Sequence, residues 1–134
     1  MRMPLNADLV GKTYPPVRVD VDPERVRAFA EAVSYRGGGV PPTFVTVPEI
    51  AAGLVNVVRD PDLGVDLARV LHGDQEYRWE RPVEVGETIV AHATIDAIRG
   101  KGDTEFLAIR TEIRDGAGEL VVVARSTLIL RDGT

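Results

Sequence analysis
The sequence predicts an α+β fold: one domain in which a long antiparallel sheet wraps around a central helix. Two observations carry this expectation. Residues 88–98, 105–114 and 120–131 form three long runs of strand-like sequence, separated by Arg99-Gly100-Lys101-Gly102 and Asp115-Gly116-Ala117-Gly118, so these strands should be antiparallel hairpin neighbours. Ahead of them, residues 44–58 are apolar on more than one side, which marks a helix with little solvent face of its own. Curling the sheet around that helix buries both at once.

Taken in order, Val17, Val19 and Val21 alternate with Arg18 and Asp20 as a short strand. Asp22-Pro23 then starts a helix, Asp accepting from free backbone donors and Pro losing no needed N–H at the first position. Val26, Phe29, Ala30 and Val33 recur at helical spacing, and the helix is expected to end near Tyr35, broken by Gly37-Gly38-Gly39. Pro41 and Pro42 keep the preceding backbone extended. In the second helix Ile50, Ala51, Leu54, Val55 and Val58 form the apolar stripe, with Ala52, Gly53 and Val57 extending it. Residues 59–64 are expected to be a linker, and 71–79 the first strand of a four-stranded meander, closed by Pro82 and the turn Glu84-Val85-Gly86-Glu87. In the strands Ile89, Ala91, Ala93 and Ile95, with Leu107, Ile109 and Ile113, make one dry face; Val90, His92, Thr94, Ala108, Arg110 and Glu112 make a mixed one.

Composition narrows the function. The chain has 134 residues, 44% hydrophobic and 28% charged, the profile of one folded domain over its whole length, 1–134. A net charge of -5 without a Lys/Arg cluster argues against nucleic acid as a partner. With no Cys and only His72 and His92, no metal site or cofactor is expected. No run approaches the roughly twenty apolar residues of a membrane span, residues 1–11 lack the apolar core of a signal peptide, and a cytoplasmic location is expected.

Four pieces, Asn6-Ala7-Asp8-Leu9-Val10-Gly11-Lys12, Val40-Pro41-Pro42-Thr43-Phe44, Leu71-His72-Gly73-Asp74-Gln75-Glu76-Tyr77 and Arg81-Pro82-Val83-Glu84-Val85-Gly86-Glu87, occur in register. In that order and spacing the chain resembles, over essentially its whole length, the N-terminal half-domain of MaoC-like dehydratases, a hot-dog fold. It is similar to the short subunits of actinobacterial (3R)-hydroxyacyl-thioester dehydratases. The resemblance implies an acyl thioester of CoA or an acyl-carrier protein as substrate, and as partner a second hot-dog chain, or a second copy of this one, joined sheet edge to sheet edge. It places the thioester against Gly38, Gly39, Val40, Pro42, Thr43 and Phe44, with His72 and Gln75 from the next motif. In that family an Asp and a His, usually within Asp-x-Asn-Pro-x-His, lie between the first helix and the central one and move protons at the α- and β-carbons. Here that stretch is only Ser34-Tyr35-Arg36-Gly37-Gly38-Gly39. It holds neither residue and is more than ten residues shorter than the resemblance implies, so a whole segment is missing and no catalytic pair is carried over.

Two groups remain as catalytic candidates. His72 stands near Asp74 at a strand start and could serve as a base, although a structural hydrogen bond is the favoured reading and no nucleophile is placed to complete a site. Glu49 follows Pro48 on the central helix, where hot-dog thioesterases carry a water-activating carboxylate; a solvated residue suiting the helix dipole is the simpler reading. His92 is read as structural. Gly37-Gly38-Gly39 lacks the Lys and Thr of a phosphate loop. Arg78, Trp79 and Arg81 could meet a carrier phosphate, with a subunit contact the commoner use of such a Trp.

Overall fold
Strand β1, Val17–Asp20, and helix α1, Pro23–Ala32, open the regular structure in the computed structural model, which describes residues 4–131. Residues 1–3, part of the stretch read for a signal peptide, lie outside the described residues, as do 132–134. Asp22 caps α1 by accepting from the Arg25 amide at 3.2 Å, with Pro23 at the first helical position, as the sequence leads one to expect. The helix ends earlier than expected. Ser34 adopts φ 57°, the Tyr35 amide donates to the Ala30 carbonyl at 2.8 Å and the Ser34 amide to the Glu31 carbonyl at 3.2 Å. These are the two bonds of a Schellman cap, so α1 stops before the glycines are reached.

A connection then leads into the central helix, one helical rod built of a 3-10 turn at Pro42–Val45, an α-helical turn at Thr46–Glu49, a π-helical turn at Ile50–Leu54 and a last α-helical turn at Val55–Val58. Phe44 anchors its start edge-on against Phe29 of α1, the ring centres 5.5 Å apart. The stripe read as its core face is not the face that is buried. Ile50 is 47% exposed, whereas Ala52, Gly53 and Val57 are buried. With apolar residues all round, the face carrying the smallest ones turns to the sheet, because it allows the closest approach. Gly53 shows the constraint: a Cβ there would lie 3.2 Å from Thr111 Oγ1 and 3.3 Å from Ile109 Cγ2.

Residues 59–64 are packed rather than a free linker. Leu63 is 1% exposed, and the buried Asp60 accepts from Lys12 Nζ at 2.6 Å and from the Tyr14 hydroxyl at 2.7 Å. The Lys12 bond holds the Asp60 carboxyl below its usual range, while burial, with Asp60 alongside, pushes the Tyr14 phenol up. The network ties the amino-terminal stretch to the end of the central helix.

Strands β2 (Val70–Trp79), β3 (Thr88–Lys101), β4 (Thr104–Asp115) and β5 (Leu120–Arg131) complete a five-stranded antiparallel sheet. Its order is β1-β3-β4-β5-β2. The β3-β4-β5 hairpins match expectation, with β3 running on through the residues read as its turn. The four-stranded meander does not: β2 pairs with β5, not with β3, and forms an outer edge. Arg81 closes the long β2–β3 connection by donating to Glu87 Oε1 at 2.6 Å and Asp115 Oδ2 at 2.9 Å. Ile89, Ala91, Ala93, Ile95, Leu107, Ile109 and Ile113 form the dry face against the helix. Among the described residues no helix is long and apolar enough to cross a membrane.

Candidate functional site
Between the central helix and the inner faces of β2, β4 and β5 lies a cavity of about 370 Å³, lined by Ile50, Leu54, Val70, Ile109 and Leu128 among others. That is the size of a small-molecule site with mostly apolar walls. Three of its polar groups, Gln75, Tyr77 and Ser126, converge on Glu49. This carboxylate is 6% exposed and accepts from the Tyr77 hydroxyl at 2.6 Å on Oε1, and from Gln75 Nε2 and Ser126 Oγ, each at 2.8 Å, on Oε2.

The sheet register explains the convergence. Gln75 and Tyr77 are two residues apart on β2 and so share a face, and Ser126 is the cross-strand partner of Gln75 on β5. Ser126 Oγ is also 2.7 Å from Gln75 Oε1, so its single proton serves one of two acceptors at a time. Burial, and then the bond to Glu49, push the Tyr77 phenol up, which keeps it a donor at any ordinary pH. Among the described residues no cation forms an ion pair with Glu49; its partners are all neutral.

The residues singled out from sequence divide between this cavity and elsewhere. His72 and Gln75 line it together with Glu49, His72 as an exposed residue where Gly73 bulges the β2–β5 pairing. Glu49 itself is buried within the central helix and not a solvated residue of its first turn. Val40 and Pro42 line a separate groove of about 390 Å³ with Trp79, Arg81 and Val83. Phe44 is 1% exposed and belongs to the core, and its amide is taken by the Pro41 carbonyl at 2.9 Å. Thr43 accepts through its carbonyl from the Thr46 hydroxyl, and Gly38 accepts likewise from the Tyr35 hydroxyl, both on exposed backbone; Gly39 is exposed with φ 75°. Arg81 is engaged by two carboxylates, Glu87 and Asp115. His92 lies on the outer face of β3, exposed. Among the described residues no group of three or more His, Cys, Asp or Glu could hold a metal ion.

Sequence reasoning missed Tyr77, Ser126 and Gly53. The alternation in β2 was a signal for Tyr77 beside Gln75, but Ser126 becomes legible only once β2 is known to pair with β5.

A family model described as "FAS1-like, dehydratase domain region" matches residues 33–124. The UPF0336 protein of Streptomyces griseus is 40% identical over 147 aligned positions, which take in 96% of this chain and 97% of that one; its counterpart in Streptomyces coelicolor is 39% identical with the same coverage. Both alignments exceed the 134 residues of this chain, so both relatives carry residues opposite which this chain has none. Among solved structures, the C-terminally truncated HadBC (3R-hydroxyacyl-ACP dehydratase) complex of Mycobacterium tuberculosis matches with a TM-score of 0.77 and 25% identity, over 93% of this chain and 99% of that one. An (R)-hydratase from A. caviae matches with a TM-score of 0.62 over 92% and 96% of the two chains, at 18% identity, a likeness of fold alone.

A sheet curled round one helix, with a lined gap between them, defines a hot-dog domain of the hydratase/dehydratase kind. The chain belongs to the FAS1-like dehydratase-region family and to the UPF0336 proteins.

Proposed function
We propose that this chain is a cytoplasmic subunit of a (3R)-hydroxyacyl-thioester dehydratase, or enoyl-thioester hydratase, that shapes the acyl pocket while a second hot-dog chain supplies the catalytic Asp and His. One observation carries the reading: the cavity between helix and sheet is intact, while the connection from α1 to the central helix holds neither an Asp nor a His. The greater length of the alignments with the relatives supports loss of a segment over two substitutions. A partner is supported by the outer edge left by β2 and by apolar side chains beside it and the cavity, Ile50 at 47%, Leu67 at 67% and Leu71 at 56% exposed.

The test is hydration of crotonyl-CoA by the purified chain, alone and after co-expression with a hot-dog chain of the same genome that carries the Asp and His. Activity only in the mixture supports the reading, and turnover by this chain alone overturns it.

A second reading is favoured by the burial of Glu49 in the cavity. As a fixed carboxylate it could activate water for thioester hydrolysis. Acyl-CoA hydrolysis that disappears in Glu49→Gln would support a thioesterase, and equal activity in the variant would remove that reading. Tight acyl-thioester binding without turnover under any of these conditions would point to a binding homodimer.

A further inference from the structure
On the outer face of the sheet, away from the helix, lies a trough of about 530 Å³ that crosses β3, β4 and β5. The strand register builds it. Ile109, Ser126 and Leu128 line the inner cavity, so Ala108, Arg110, Arg125 and Thr127, which alternate with them, face the opposite side. Ala97, Ala108 and Thr127 pair across the three strands as a row of small side chains. Larger rows flank it two residues away on either side, Arg99 with Phe106 and Arg110 with Arg125, which sets the walls about 14 Å apart.

The charged side chains that line the trough, Arg99, Lys101 and Arg125, are all cations, in a chain whose net charge is -5. They come from β3 and β5, so no basic run marks them in the sequence. Arg125 is held in place. The bulge between Ile95 and Ala97 turns Asp96 outward, and this carboxylate accepts from Arg110 Nη1 at 2.8 Å and from Arg125 Nε at 2.9 Å, one negative charge between two positive ones. Arg99 and Lys101 are exposed at the hairpin end, while Asp74, opposite Thr127 on β2, stands at the other. The floor is apolar, with Ala108 5% exposed and Phe106 half-buried beside it. Cations at one end, and a small-residue floor between an aromatic ring and a guanidinium, suit an anion that carries a planar ring.

We infer that the trough binds a nucleotide, its phosphates over Arg99 and Lys101 and its base over Ala108, flanked by Phe106 and Arg125. The sheet separates this site from the cavity, so the nucleotide is a ligand in its own right and the inference stands or falls apart from the proposed function.

Calorimetry on the full-length chain, purified with any hot-dog partner that accompanies it, tests this with ATP, tripolyphosphate and adenosine. Stacking and charge contribute together, so ATP should bind about tenfold or more tighter than either fragment. Phe106→Ala should weaken ATP about tenfold and leave tripolyphosphate unchanged, which also shows that the variant is folded. The double change Arg99→Gln with Lys101→Gln, at exposed positions, should weaken ATP and tripolyphosphate alike. Failure of ATP to bind overturns the inference. Tripolyphosphate binding as tightly as ATP, or ATP affinity unmoved by Phe106→Ala, overturns recognition of a nucleotide. ATP affinity unmoved by the double change overturns its placement in the trough.

Discussion
Arg81 shows how much one residue of a motif can be structural. Its guanidinium bridges Glu87 and Asp115, joining the β2–β3 connection to the end of β4. The Arg81 bonds hold both carboxyls below their usual range. Lowered carboxylates contribute stability above the ordinary range of about 4, and that contribution is lost as pH falls through their depressed values. Arg81→Ala should therefore lower the urea midpoint at pH 7 and show a smaller further drop between pH 4 and 2 than the unaltered chain; parallel curves would mean the clamp is not what titrates. Gly53 is constrained by contact and not by backbone angle. An Ala there gains about 1 kcal/mol of helix propensity, which offsets the push on Thr111 and Ile109, whereas the bulk of Val adds overpacking of about 1–3 kcal/mol. Denaturant unfolding should find Gly53→Ala close to neutral and Gly53→Val clearly destabilised.

At the scale of elements, local chemistry was legible and partnership was not. The Asp22-Pro23 start of α1 and the dry faces of β3 and β4 follow from side-chain pattern alone. The central helix was legible as buried but not in its orientation, because a helix apolar on all sides has no periodic signal to aim it, and its π-helical turn shifts the phase further. Pairing of β2 with β5 was hidden for a related reason: a sequence-adjacent strand is the default neighbour, and the return across the sheet is set by the helix that β2 must cover. The Glu49 cluster depends on that pairing, so a carboxylate that looked solvated is enclosed. Residues 59–64 resembled a linker because Pro, Asp and Gly dominate them, yet Leu63 is sealed into the core. Leu63→Ala should cost about 2–5 kcal/mol in urea unfolding, the range for emptying a core site, against a negligible change for a true linker.

For the whole molecule, the decisive relation is between the cavity and a connection from α1 to the central helix that holds neither an Asp nor a His. The hot-dog topology places the start of the central helix, the cavity and the β2 edge on one chain, and a second such chain meeting that edge would bring its own helix alongside. On this view the two histidines of this chain are spectators: His72 lies at the cavity and His92 on the outer face of the sheet. The most direct measurement is crotonyl-CoA hydration by the complex of this chain with a hot-dog partner, comparing His72→Ala in this chain with the same change at the partner's catalytic His. Hydration should survive the first change within a few-fold and fall by roughly 10²–10⁴ on the second; collapse on changing His72, or turnover by this chain without a partner, would contradict it.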